Sequence, residues 1–273
     1  MKVKDKAAIV TGGGNGIGAA LAAKLAAEGA KVVVADLDET AAQAISDDIN
    51  ADHAESAIGA GGDVSDTAQI QRLIELCESE FGSVDLYFAN AGITGPPGLE
   101  LSEQDWDLVL DVNLRAHIRA AQLLVPRWLD KGEGYFVATA SAAGLLTQIG
   151  SAGYSVTKHA AVGFAEWLNI TYGDRGIRVS CLCPMGVNTK LLYAGADSGD
   201  PLGRAATRAV TAAGDVLEPA QVADIVLEAI DAERFLILPH EQVLQMYRQK
   251  GADYDRWLSG MRRYQSSLLH SER

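Results

Sequence analysis

Tyr154 and Lys158 stand four residues apart in the run Tyr-Ser-Val-Thr-Lys. On a helix that spacing puts both side chains on one face. An ammonium beside a phenol favours the phenolate and lowers a pKa that starts near 10. The pair then offers a proton donor and acceptor usable near neutral pH. Ser141, upstream in Ala-Thr-Ala-Ser-Ala-Ala-Gly, adds a hydroxyl. Each of these residues also has a plain structural reading, the serine as a satisfied hydroxyl at a strand end. It is their order along the chain that favours chemistry.

The elements that must position them follow from apolar patterning. Strands are expected at 7–11, 31–36, 56–64, 84–89, 134–140, 177–183 and 235–239. Helices are expected at 16–28, 38–50, 66–81, 102–130, 152–174 and 219–232. The third strand contains Gly59, Gly61 and Gly62 and is poor by propensity, so its assignment rests on position. Strands alternating with helices predict an α/β fold, a doubly wound, seven-stranded parallel sheet with helices on both faces. Residues 1–240 read as one domain and 241–273 as a helical extension. The stretch 193–217 has no clear apolar period and reads as a mobile substrate loop.

Between the first strand and first helix runs Thr11-Gly-Gly-Gly-Asn-Gly-Ile-Gly18. Glycines allow a tight turn and close approach to a pyrophosphate, and the helix start presents free N–H groups. On its own this motif indicates only a possible nucleotide site, because it departs from the G-x-G-x-x-G register. The second strand then ends at Asp36, where an acid can bind adenosine ribose hydroxyls. Beside a 2'-phosphate that charge is repelled by roughly 4 kcal/mol at ~4 Å and an effective dielectric of ~20. Neither Asn15 nor Leu37 is basic. The expected cofactor is NAD, not NADP.

The formal charge of -13 on 273 residues argues against nucleic acid or an anionic membrane as partner. No signal peptide or membrane-length apolar run is present, so the cytoplasm is expected. Cys77, Cys181 and Cys183 are read as buried free thiols. The five histidines are scattered, and no metal site is expected.

Taken together, the ordered residues resemble the short-chain dehydrogenase/reductase (SDR) family from about residue 6 to 239. They are Thr11-Gly12-xxx-Gly16-Ile17-Gly18, Asp36, Asp63-Val64, Asn90-Ala91-Gly92, Asn113, Ser141, Tyr154-xxx-Lys158 and Thr189. The resemblance implies a Rossmann-type sheet. It implies that Gly12, Asn15, Gly16, Ile17, Gly18, Asp36 and Leu37 line the dinucleotide site, and that Asp63 and Val64 contact adenine. Asn90, Ala91, Gly92 and Val112 would pass along the cofactor. Pro184, Val187 and Thr189 would hold the nicotinamide. By the same resemblance Tyr154 is the acid/base, and Lys158 lowers its pKa and binds the nicotinamide ribose. Ser141 bonds the substrate oxygen, and Asn113 positions a water beside Lys158. One departure stands out: Met185 occupies a position where the family usually has Gly, and Gly186 follows.

Leu146, Met185, Leu192 and Tyr193, with Leu145, Ile149, Val187 and Leu191, are expected near the active-site segments, with Gln148 as a polar contact. They suit a secondary alcohol or ketone with an apolar body. The expected function is therefore an NAD-dependent oxidoreductase on a CH–OH/C=O pair. Reduction of C=N or C=C bonds, a non-redox epimerase or lyase, and a non-catalytic NAD sensor are the alternatives. The aromatic-rich tail reads as one or two amphipathic helices packed on its own or a neighbouring subunit. The resemblance implies a homo-oligomer, dimer or tetramer, with the helices carrying Asn113 and Tyr154 at an interface.

Overall fold

The central strands are buried along nearly their whole length, because helices cover both faces of the sheet and leave no polar side. In the computed structural model, residues 1–196 and 199–270 are described. Seven strands form one sheet: β1 (Ala7–Thr11), β2 (Lys31–Asp36), β3 (Ala57–Gly61), β4 (Leu86–Ala89), β5 (Gly134–Thr139), β6 (Ile177–Leu182) and β7 (Leu236–Ile237). Their order is β3-β2-β1-β4-β5-β6-β7, and every pairing is parallel.

The helices follow in chain order. The first three are α1 (Gly16–Ala27), α2 (Glu39–Asp52) and α3 (Thr67–Phe81). Next come α4 (Glu103–Leu110), α5 (Ala116–Lys131), α6 (Ala143–Leu146) and α7 (Ala152–Tyr172). The last five are α8 (Lys190–Tyr193), α9 (Pro201–Thr211), α10 (Pro219–Asp231), α11 (Gln242–Ala252) and α12 (Tyr254–His270). Alternate strand residues serve opposite cores. Ala8 and Val10 join Leu21 and Leu25 of α1 and Val226 of α10, whereas Ile9 joins Ile74 of α3, Leu124 of α5 and Ala165 of α7.

Several expectations are revised. The third strand is shorter than 56–64, and its glycines have a packing cause: a Cβ on Gly59 would lie 2.6 Å from Gln43 Cα. Helix α2 therefore rests directly on β3, which no β-branched residue would allow. The helix expected over 102–130 carries a π turn at Asp111–Arg115 between α4 and α5. The stretch 193–217 is not an open loop, since α8 ends in it and α9 fills much of it. Asp200 caps α9 by accepting from Leu202 N–H at 2.7 Å, and Pro201 opens the first turn. Residues 197–198 of that stretch and 271–273 of the tail lie outside the described residues.

The tail forms two helices, and both pack on their own chain. α11 lies beside α6, and α12 beside α9. Met261 and Tyr264 of α12 meet Ile149, Ala205 and Ala209, and Arg208 donates to Leu268 O at 2.8 Å. Among the described residues no helix is long and apolar enough to cross a membrane. Cys77, Cys181 and Cys183 are free and buried.

Histidine 117 gives the core a pH dependence. It is 1% exposed on α5, and neither ring nitrogen has a hydrogen-bond partner among the described residues. Burial, aided by the Lys158 charge, pushes its pKa from 6.5 down to about 3. The unfolded chain therefore binds one more proton than the folded chain between those values. The contribution is fully present above pH 6.5 and is lost as pH falls toward 3. Between pH 6.5 and pH 5 the loss is about 2 kcal/mol. Urea titrations at both pH values should show the wild type weakening more than His117→Leu. Equal slopes for the two proteins would discount the residue.

Candidate active site

The strand order reverses between β1 and β4, so their C-terminal ends open a crevice. Thr11 fastens this point. Its Oγ1 donates to Phe88 O at 3.0 Å and accepts from Asn90 N–H at 3.0 Å and Ala91 N–H at 3.2 Å. The Asn90 amide donates back to Thr11 O at 3.0 Å. The glycine loop then turns through Gly12, at φ 63, where a Cβ would meet Ala91 Cα at 2.9 Å. Only glycine combines that backbone angle with that approach.

At the end of β2 the Asp36 carboxylate lies across the loop. It accepts from Gly14 N–H at 2.9 Å and Asp38 N–H at 3.1 Å. The carboxylate is thereby aimed before any ligand arrives.

The side chains expected to be catalytic come from the loop after β5 and from α7. Ser151 caps α7 by accepting from Tyr154 N–H at 3.4 Å, so Tyr154 occupies the first turn. One turn later Lys158, 2% exposed, donates to Thr139 O at 2.9 Å. Its Nζ lies 5.6 Å from the Tyr154 ring centroid. Ser141 Oγ accepts from Ala143 N–H at 3.1 Å and donates to Pro184 O at 3.4 Å.

Electrostatics depart from the sequence expectation. Burial raises the Tyr154 pKa, and a hydrogen bond with Ser141 opposes that shift. The Lys158 ammonium donates to the Thr139 carbonyl rather than to the phenolic oxygen. Burial also lowers Lys158 to about 8, which leaves it an ammonium at pH 7.

One cavity of about 520 Å³ joins these parts. Every residue assigned above to the dinucleotide lines it, from Gly12 through Asp36, Asp63 and Asn90 to Pro184 and Thr189. Its lining comprises a glycine-loop set, here the first arm, and an apolar set of Ile93, Met185, Leu191, Leu192 and Val210, here the second arm, and Ser141, Tyr154 and Lys158 line the same cavity. The chain matches the short chain dehydrogenase family over residues 6–198.

The chain belongs to the short-chain dehydrogenases.

Relatives place this dehydrogenase more closely. It is 33% identical over 265 residues to the 1-deoxy-11-beta-hydroxypentalenate dehydrogenase of Streptomyces exfoliatus, covering 95% of this chain and 92% of that one. It is 36% identical over 193 residues to the cyclohexanol dehydrogenase of an Acinetobacter species, covering 70% and 76% of the two chains. The crystal structure of a short chain dehydrogenase/reductase from Burkholderia phymatum in complex with NAD is similar with a TM-score of 0.84 at 34% identity. That match covers 93% of this chain and 96% of the other.

Three residues assigned to the dehydrogenase site from sequence do not line the cavity. Asn113 is fully buried in the π turn, and its amide is spent on Ile93. Oδ1 accepts from Ile93 N–H at 2.8 Å, while Nδ2 donates to Ile93 O at 2.8 Å and to Thr157 Oγ1 at 3.1 Å. That side chain ties the cavity wall to α7. Leu146, in α6, faces the core below the site, as Leu145 does. Tyr193, at the end of α8, is 42% exposed and lies outside the lining. Met185, Gln148 and Leu192 do line it, and Gln148 Nε2 donates to Ala206 O at 3.2 Å.

Sequence reasoning missed the α9 face, where Gly203, Ala206, Thr207 and Val210 close the apolar arm. A signal was present. Leu202, Ala205, Ala206, Ala209 and Val210 have helical spacing.

Proposed function

We propose that this dehydrogenase interconverts a secondary alcohol and a ketone, with NAD as cofactor and Tyr154 as the acid/base. The observation that carries the reading is that Ser141, Tyr154 and Lys158 line one cavity with both the glycine-loop residues and the apolar set. The first arm fits a dinucleotide. The loop before α1 offers backbone amides to a pyrophosphate, and Asp36 offers its carboxylate to ribose hydroxyls. Lys158 is the sole cationic side chain among the described lining residues, so nothing at the Asp36 end compensates a further phosphate.

When bound, the nicotinamide supplies the hydride acceptor for oxidation or the donor for reduction. The chain's own groups do the proton chemistry. In oxidation the Tyr154 oxygen takes the substrate hydroxyl proton, and in reduction it returns one. Ser141 hydrogen-bonds the substrate oxygen and stabilises charge building there. The Lys158 ammonium, 5.6 Å from the Tyr154 ring centroid, would stabilise the ionised phenol through space and would hold the nicotinamide ribose when the cofactor is bound.

The second arm selects a neutral, apolar substrate. Its described lining offers Thr94, Gln148, Ser151 and Thr207 as polar groups and no charged side chain beyond Lys158. A substrate carboxylate or phosphate would be desolvated there without a partner. Following NADH absorbance with cyclic and linear secondary alcohols tests this directly. Turnover of neutral alicyclic alcohols above their carboxylated analogues is expected. Absence of redox turnover across the panel overturns the assignment.

Assembly into a homo-oligomer belongs to the same proposal. On α7, Val156, Trp167 and Ile170 are 51%, 53% and 82% exposed and fall along one stripe of the helix. Trp167 stacks on Phe164 at 6.3 Å, which fixes an apolar ridge facing outward. Trp167→Arg with Ile170→Arg is expected to shift sedimentation toward monomer without unfolding the chain. An unchanged sedimentation coefficient would remove α7 from the interface.

A further inference from the structure

The chain's tail reaches back to both backbones that form the floor of the reaction centre. His240 follows β7 and is 3% exposed. Its Nδ1 accepts from Met185 N–H at 3.2 Å, and its Nε2 donates to Gly186 O at 3.0 Å. Both ring nitrogens thus hold one turn, directly after Pro184. Gly186 O also accepts from Leu217 N–H at 2.9 Å, which ties that turn to the segment before α10. Burial lowers the His240 pKa, with Asp215 acting in the opposite sense, and keeps the ring in the neutral form this pattern needs.

Further along the tail, Lys250 is 5% exposed on α11. Its Nζ donates to Leu145 O at 2.6 Å and lies 5.5 Å from the Tyr254 ring centroid. Leu145 belongs to α6, which begins two residues after Ser141. The two held segments are themselves joined, since Ala142 N–H donates to Pro184 O at 2.8 Å and Ser141 Oγ to the same oxygen at 3.4 Å. Ser141, Pro184 and their neighbours therefore make one platform, gripped from below at two points.

Lys250 is a costly way to fill space. Burial lowers its pKa, and no carboxylate pairs with it among the described residues. A methionine would occupy similar volume without desolvating a charge. What methionine lacks is the donor that fixes the α6 carbonyl.

We propose that His240 and Lys250 are positioning residues, a clamp through which the tail sets Ser141 and the Met185–Gly186 turn in register with Tyr154. The clamp also accounts for Met185 at a position where glycine is usual in the family. The turn is held by an external imidazole, so the Met185 side chain is left to line the cavity. The catalytic consequence rests on the role given to Ser141 above, whereas the mechanical one does not.

The test uses the full chain with NAD and cyclohexanol, in the variants Lys250→Met, His240→Leu and His240→Gln. For Lys250→Met the melting temperature should hold or rise, while kcat falls roughly tenfold or more from a misplaced platform. The KM for NAD should stay unchanged. Amide hydrogen exchange should quicken in residues 142–147 for Lys250→Met and in 185–187 for His240→Leu, and nowhere else. His240→Gln, which can restore the donor to Gly186, should lie between His240→Leu and wild type. Wild-type turnover with unaltered exchange overturns the clamp, and so does lost turnover without that local loss of protection. If His240→Leu unfolds globally, Lys250→Met alone decides. If the wild type turns over no alcohol, the functional reading fails while the exchange data still judge the clamp.

Discussion

Tyr154→Phe is expected to lower kcat for alcohol oxidation by roughly 10²- to 10⁴-fold, the usual worth of a positioned acid–base group. NAD affinity should be unchanged, because the ring and its packing survive and only the hydroxyl is lost. The pH profile sharpens the test. Oxidation needs the ionised phenol, and burial raises the Tyr154 pKa with only the Ser141 hydrogen bond opposing it. The wild-type rate of oxidation should therefore climb with pH on the alkaline side, and reduction, which needs the protonated phenol, should decline over the same range. In Tyr154→Phe both dependences should disappear. Lys158 titrates near 8 and would superimpose an opposing loss as its ammonium is neutralised. An oxidation rate that keeps its alkaline rise in the phenylalanine variant would assign the proton to another group.

How far the sequence exposes this site depends on whether the geometry is local. The glycine loop, Asp36 and the Tyr154–Lys158 spacing are local, because each follows from one turn or one helix face. The parallel pairing follows from alternation, since parallel strands require crossovers. Long-range packing is different. The glycines of β3 look like poor strand formers until the backbone of α2 is seen resting on Gly59. The direction of the Lys158 ammonium, toward Thr139 rather than toward the phenolic oxygen, depends on where β5 ends relative to α7. No helical spacing reports that distance. The grip of His240 on Met185 is longer in range still, joining residues 55 apart in the chain.

Asp36→Ala is expected to reverse the discrimination between dinucleotides, and the reason lies in how the carboxylate is held. Two backbone amides, Gly14 and Asp38, fix its oxygens at 2.9 and 3.1 Å, so the charge cannot swing away from an incoming 2'-phosphate. At ~4 Å and an effective dielectric of ~20, suited to a half-buried group, the repulsion is roughly 4 kcal/mol. Removing it should raise the NADP:NAD ratio of kcat/KM by roughly three orders of magnitude. Two effects contribute, since NADP escapes the repulsion while NAD loses its bonds to the ribose hydroxyls. Adding Leu37→Arg should extend the change, because Leu37 is 76% exposed, lines the same arm and has room for a guanidinium. Such a group pairs with phosphate through two parallel hydrogen bonds. Salt separates charge from shape: the NADP:NAD ratio of the wild type should rise modestly with ionic strength, whereas that of Asp36→Ala should not. If Asp36→Ala keeps the wild-type preference at every salt concentration, the carboxylate is not the selector, and discrimination would have to reside in the walls around Asp63 and Val64.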